Sequence, residues 1–351
     1  MEKPNLQPGP VLLFGSGETH PSSGSAYEHL ANVMKQKPDI AIFETPAGFE
    51  LNSEKVAGNI RDFLSRRLQN YDPRVTLIPA RNRKTRLSPD NSAILEPALR
   101  SNWLFLGPGS PTYAVRQLDD SLAMEYIKAK HLLGGALVLA SAALLSFSQL
   151  TLPVYEIYKV GEDPHWNDGL DYFSLFGLKL VFIPHWNNSD GGKDLDTSRC
   201  FMGQKRFIEL LTMLPDDITV IGIDEHTSLF FEFGSPCTGQ VFGKGAVTMM
   251  RKGKQQVITT GQTIIFEEIN GFCLPDLDQV VSSEIKERIF DSSFDHPHQE
   301  PGIEILDLVN HRQIARENQD WVRADQLRDQ LLSMGWTVKD TSSGSELEPL
   351  E

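Results

Sequence analysis

Short apolar runs alternate with amphipathic stretches through the first 150 residues. PVLLFG (10–15), DIAIFET (39–45), RVTLIPA (74–80), NWLFLG (102–107) and GALVLA (135–140) read as five buried strands. Between them, Tyr27–Gln36, Ser53–Gln69 and Pro89–Arg100 carry helical spacing, and Pro111 opens a further helix, proline being tolerated in a first turn. Continuous apolar strands separated by helices predict an α/β fold, a mostly parallel sheet flanked by helices. The second half changes rhythm. KLVFIPH (179–185) and DITVIGID (217–224) read as strands around a helix over Gln204–Met213. Three short alternating segments follow (228–234, 239–250 and 255–266), with turn glycines at Gly243, Gly245 and Gly253, and predict an antiparallel meander.

Residues 1–270 form the predicted α/β domain. The acidic, polar stretch 271–302 reads as a linker, with a short helix near Ser282–Phe290. Residues 303–345 return to helical spacing, with apolar Leu308, Ile314, Ala315, Val322, Leu327, Leu331 and Leu332, Gly335 ending the helix and WTV adding an extended piece. This predicts a small C-terminal helical module.

The chain has 351 residues, 40% hydrophobic and 23% charged, as expected of an ordinary globular protein. A net charge of −14 argues against a whole-protein electrostatic footprint for nucleic acid while leaving room for a local basic patch. No apolar run approaches the ~20 residues of a membrane helix, and MEKPNLQPGP has no apolar signal core. Cys200, Cys237 and Cys273 are widely separated and odd in number. Together these features predict a cytoplasmic protein without a disulfide framework, metal site or cofactor. GSGETH (15–20) lacks the glycine spacing of a nucleotide loop.

In parallel sheets, sites form at the carboxyl ends of strands. Gly15–Gly17, Pro46–Gly48, Gly107–Gly109 and Ser141 all fall there. LVLASAAL (137–144) has the layout of a nucleophile elbow: a strand runs into a tight turn carrying Ser141, flanked by small Ala140, Ala142 and Ala143. A serine needs a base within hydrogen-bond reach, and His185, at the end of a later strand, is the candidate. The polar loop after it offers Asn187 and Asn188 as substrate-binding side chains. His165, between Pro164 and Trp166, is an alternative base in a structured loop.

The order GPGSPTYAVRQL (107–118), LASAA (139–143), IPHWNN (183–188) and GIDEHTSL (222–229) resembles the cyanophycinase and dipeptidase E family of serine peptidases, which have a class I glutamine amidotransferase-like fold. The resemblance covers about the first three quarters of the chain and departs from the family pattern at the elbow, where Leu139 and Ala143 replace glycines. It implies a serine hydrolase acting on amide (peptide or isopeptide) bonds through an acyl-enzyme, with aspartyl substrates. It implies an oxyanion hole from Gly109 and the N–H of Ala142. It also implies an acidic residue between nucleophile and histidine to orient the latter: Glu156, with Asp163 and Asp171 as competitors. Asp224–Glu225 is expected to stabilise the site loop, and Arg116 and Arg199 are candidate carboxylate partners. Serine at the elbow disfavours glutamine amidotransfer.

The tail carries a separate likeness. Arg312, Ala315, Arg316, Asp320, Trp321, Ala324, Asp325, Arg328, Leu331, Gly335, Asp340 and Thr341 resemble the C-terminal tail of cysteinyl-tRNA synthetases. No synthetase catalytic signature accompanies it, so the chain is not expected to be a synthetase. The tail instead implies a contact with tRNA/RNA or a protein partner, and a catalytically silent scaffold is the alternative to the hydrolase.

Overall fold

A computed structural model describes residues 7–234, 236–266, 271–290, 303–334, 336–341 and 344–349. They fall into two compact units divided after Phe290. In the first unit the expected alternation is present: β1 (Val11–Phe14), α1 (Gly24–Met34), β2 (Asp39–Phe43), α2 (Ser53–Arg67), β3 (Arg74–Ile78), α3 (Ser92–Arg100), β4 (Trp103–Leu106), α4 (Pro111–Leu118), α5 (Leu122–Leu132), β5 (Ala136–Ala140) and α6 (Ala142–Ser146). Local chemistry sets the helix starts. Ser110 Oγ accepts from Tyr113 N (3.2 Å) ahead of Pro111, and Ser121 Oγ accepts from Met124 N (3.2 Å), each satisfying a first-turn donor.

The remainder comprises a two-residue pair, β6 (Leu150–Thr151) and β7 (Asn167–Asp168), then β8 (Leu180–Ile183), α7 (Gly203–Thr212), β9 (Thr219–Ile223), β10 (Thr227–Glu232), β11 (Thr238–Gly243), β12 (Ala246–Arg251), β13 (Lys254–Thr259) and β14 (Thr263–Ile265). The main sheet runs β14-β11-β10-β1-β5-β4-β2-β3. β1 to β5 are mutually parallel, and β10, β11 and β14 extend the sheet antiparallel. The late strands are divided between two sheets: β13-β12-β9-β8 form a second one, in which β8 and β9 are parallel. All residues of β1, β4, β5, β8 and β9 are buried, which explains their unbroken apolar sequence. One face of the main sheet packs Leu12, Phe14, Trp103, Phe105 and Val138 against α1 and α2; a second core gathers Val181, Ile183, Trp186, Phe207 and Val220.

Part of the stretch expected as a linker belongs to this unit. α8 (Leu277–Val280) and α9 (Ser283–Phe290) pack on α5, with Val281 and Ile285 buried and the Arg288 guanidinium 5.4 Å from the Tyr126 ring centre. These apolar anchors are sparse among acidic residues, so composition alone reads as solvated chain. The rest of that stretch, 291–302, lies outside the described residues.

The second unit contains α10 (Ile303–Glu317), α11 (Trp321–Ser333), β15 (Trp336–Thr341) and β16 (Gly344–Pro349). The two helices pack on each other around Ile305, Val309, Leu331 and Trp336, and Asp320 Oδ1 caps α11 by accepting from Arg323 N at 3.1 Å. The extended piece expected after the helix is one arm of an antiparallel hairpin, β15–β16; Gly335, expected to end α11, lies outside the described residues. Among the described residues, no helix is long and apolar enough to cross a membrane.

Candidate active site

Ser141 sits between β5 and α6 with φ 52° and ψ −112°. Left-handed φ at a non-glycine residue is sparsely populated and is found where surrounding structure fixes it. Here Ser141 N donates to Phe14 O (3.3 Å) and Ala143 N donates to Gly107 O (3.3 Å), tying the turn to the ends of β1 and β4. Leu139 and Ala143 are both fully buried, so the elbow forms with a larger residue at the strand end and a methyl group inside the helix.

Ser141 Oγ lies 3.1 Å from His185 Nε2, and His185 Nδ1 lies 2.9 Å from Glu225 Oε1. The two strands carrying this pair are parallel neighbours, in a register that sets Ile183 opposite Gly222. The residues just beyond their carboxyl ends, His185 and Glu225, therefore meet side by side. The His185 loop is pinned from several directions. His185 N donates to Gly15 O (3.0 Å), Trp186 N donates to Ile223 O (3.1 Å), and Cys200 N donates to His185 O (3.2 Å). Trp186 packs edge-on against Phe207, with the Arg199 guanidinium 4.0 Å from the Trp186 ring centre. A Cβ on Gly222 would stand 2.3 Å from that indole, so glycine is required there for Trp186 to seat.

Glu225 replaces Glu156 as the partner of His185 Nδ1. Glu156 begins a π-helical turn, Glu156–Val160, and among the described residues its buried Oε2 has no hydrogen-bond partner. The expectation of an acid lying between nucleophile and histidine in sequence is corrected by strand pairing, which brings in an acid from beyond the histidine. Asn187 and Asn188, the candidate substrate contacts, both hydrogen-bond to Glu225. Asn187 Oδ1 accepts from Glu225 N (2.8 Å), and Asn188 Nδ2 donates to Glu225 Oε1 (2.9 Å). Together they clamp the acid at its backbone and its carboxylate, and neither lines the cavity beside Ser141. Hydrogen bonding from His185, then from Asn188, with the nearby histidine charges, holds the Glu225 carboxyl below its ordinary range and outweighs its partial burial.

Gly109 and Ala142 both line that cavity. Ala142 is the first residue of α6, where an N–H has no intrahelical acceptor. Among the described residues, neither its N–H nor that of Gly109 donates to a protein acceptor. Gly109 has φ 151°, and a Cβ there would lie 1.9 Å from Pro46 O, so only glycine lets this loop reach the site. Two unpartnered donors beside a nucleophile are what an oxyanion needs.

The cavity measures about 370 Å³. His165, the alternative base, is held by its own loop: Nδ1 contacts Asp163 O at 2.9 Å, and His165 does not line the cavity. Arg116 lies over the Tyr113 ring (5.2 Å) and Arg199 donates to Trp186 O (2.8 Å); neither lines the cavity. Cys200 does line it, but burial pushes its thiol up to about 12, with the Glu225 charge adding to the effect. A residue outside the sequence reading is Glu18, in the loop after β1. Burial raises its carboxyl, against the pull of its own backbone hydrogen bond and of the nearby His185 and His226 charges. Among the described residues, no group of three His, Cys, Asp or Glu side chains is arranged to hold a metal ion.

Known proteins resemble the two units separately. The first unit has the fold of a peptidase from an acI-B1 Actinobacterium: the crystal structure superposes with a TM-score of 0.59 at 22% identity, covering 74% of this chain and 97% of that one. Residues 304–346 match the family described as cysteinyl-tRNA ligase anticodon binding domain. The cysteine–tRNA ligase of Rubrobacter xylanophilus is 42% identical over 52 residues, 15% of this chain and 11% of the ligase. That of Leptospira interrogans is 51% identical over 41 residues, 12% of this chain and 9% of the ligase. The chain therefore spans between 9% and 11% of the length of these relatives. The molecule is a composite: an α/β unit that shares the fold of that peptidase, followed by a segment similar to a ligase anticodon-binding domain.

Proposed function

We propose that the first unit is a serine hydrolase acting on amide (peptide or isopeptide) bonds through an acyl-enzyme. The observation that carries this reading is the continuous chain Ser141 Oγ–His185 Nε2 (3.1 Å) and His185 Nδ1–Glu225 Oε1 (2.9 Å), set on a φ 52° elbow. His185 takes the Ser141 proton as Oγ attacks the carbonyl carbon. The carbonyl electron pair moves onto oxygen, facing the Gly109 and Ala142 N–H groups. Collapse of the tetrahedral intermediate breaks the C–N bond, and His185 returns the proton to the leaving amine. Water, deprotonated by the same histidine, then hydrolyses the ester. Glu225 orients the imidazole and stabilises its charged form. The likeness of fold to a peptidase supports the amide as the bond attacked. Brief reaction with p-nitrophenyl acetate followed by peptide mass mapping tests the reading: an acetyl group on Ser141, absent in His185→Ala, supports it, and a burst without acetylated Ser141 counts against it.

A second reading concerns the tail alone. The match of residues 304–346 to an anticodon-binding domain favours a contact with tRNA. Exposed Arg323 and Arg328 are the phosphate-facing candidates, Arg328 being paired with Asp325 at 3.2 Å in the free protein. Binding of full-length protein to tRNA should weaken with salt, and Arg323→Ala should reduce the log–log salt slope by about 1. Binding absent at low salt, or a slope unchanged by the substitution, would remove this reading.

A further inference from the structure

We propose that the cavity beside Ser141 takes an apolar acyl side chain, aromatic or branched aliphatic, in place of the acidic one that the family resemblance implies. The inference rests on the hydrolase reading for the identity of the ligand as an acyl group, and on the cavity itself for its character. Leu145, Val154, Tyr158 and Phe201 line the cavity together with Ser141. Leu145 and Val154 belong to the buried core around Trp186, and Tyr158 and Phe201 pack on each other with tilted rings, centres 5.3 Å apart, so these walls are held in place by packing.

An acidic side chain needs a cation or several donors inside such a cavity, because a carboxylate stripped of water without a partner is strongly disfavoured. Arg116 and Arg199 are engaged with the Tyr113 and Trp186 rings and do not line the cavity. Lys159 and Asp190 line the cavity with opposite charge, and both are exposed, so their charges stay in contact with water. The Lys159 ammonium lies 4.9 Å from the Tyr158 ring centre. Apolar character continues outside. Phe49, on the loop whose Pro46 carbonyl accepts from Ser110 N, is 50% exposed and packs on Tyr113; Val160, next to Lys159, is 72% exposed. A cavity of about 370 Å³ falls in the range of small-ligand sites, ~300–1,000 Å³.

Calorimetric titration of the Ser141→Ala variant with phenylalanyl-alanine and aspartyl-alanine tests the inference without requiring turnover. Burial of a benzyl group predicts at least about tenfold tighter binding of the phenylalanyl peptide. That preference should survive Lys159→Met in the same background within about threefold, and Tyr158→Arg should narrow it by about tenfold. Equal affinity, preference for the aspartyl peptide, or no binding of the phenylalanyl peptide at millimolar concentration overturns the inference. Fluorophosphonate labelling of the wild-type protein separates the two readings. Absent labelling with the apolar preference intact removes the hydrolase and leaves the apolar site. Labelled Ser141 with an aspartyl preference does the reverse.

Discussion

Asn188 Nδ2 donates to the same Glu225 oxygen that faces His185 Nδ1, both at 2.9 Å. One carboxylate oxygen thus receives a donor from a buried amide and stands against the imidazole, which fixes the ring that faces Ser141. Glu225→Gln keeps the shape but replaces the negative partner of the imidazole. Acylation of Ser141 should fall by about 10²–10⁴-fold. Asn188→Ala should cost about tenfold, because the carboxylate remains but loses its second anchor. In the wild type, acid should remove the Glu225 contribution as pH falls through its lowered pKa, and Glu225→Gln should lack that limb. Stopped-flow acylation rates against pH measure all three.

Gly109 meets the Pro46 carbonyl so closely that a methyl group cannot be placed between them. Gly109→Ala should lower stability by about 2–4 kcal/mol, from strain at positive φ and displacement of the Pro46 loop. It should also abolish labelling of any protein that remains folded. Thermal melting with labelling at a temperature below the transition separates the two effects.

His131 links the end of α5 to the segment before β1. Its Nε2 donates to Gly9 O (2.8 Å) and its Nδ1 accepts from Tyr172 OH (2.6 Å), so the ring is neutral in the fold. Burial lowers its pKa from 6.5 to about 4, against the opposing Gly9 hydrogen bond. Between these values the unfolded chain binds the proton that the folded chain refuses. Stability from this group is therefore complete above pH 6.5 and declines as pH falls toward 4, by about 3 kcal/mol in all. Urea unfolding at pH 7 and pH 4.5 should show a loss that His131→Gln reduces.

The thiols should separate by burial. Cys200 and Cys237 are buried and Cys273 is exposed. Iodoacetamide at neutral pH should alkylate Cys273 in the folded protein and reach Cys200 and Cys237 only after denaturation. Mass spectrometry of digests reads this directly, and alkylation of Cys200 in folded protein would contradict its burial beside the candidate histidine.

The parallel strands were legible because both of their faces are buried and their sequences are unbroken apolar runs. Ser141 was legible because a tight strand-to-helix turn demands small neighbours, and Ala140, Ala142 and Ala143 supply them. Glu225 was visible as a residue but not as the partner of His185. Its role depends on β8 and β9 being parallel neighbours in a second sheet, a pairing between segments about 40 residues apart that no local periodicity encodes. The same pairing brings Asn187 and Asn188 into hydrogen bonds with that acid, contacts that no local pattern encodes. The helix near Ser282–Phe290 is legible and is α9, whereas α8 and the packing of both on α5 are not, because only Val281 and Ile285 supply buried contacts within an otherwise polar stretch.

Fluorophosphonate labelling of the purified wild-type protein, with Ser141→Ala and His185→Ala beside it, tests the central claim most directly. The arrangement of Ser141, His185 and Glu225 predicts one adduct per chain, mapped to Ser141, absent from the first variant and reduced at least about 10³-fold in rate in the second. Folded wild-type protein that takes no label, or takes it equally in Ser141→Ala, would contradict an activated serine at this site.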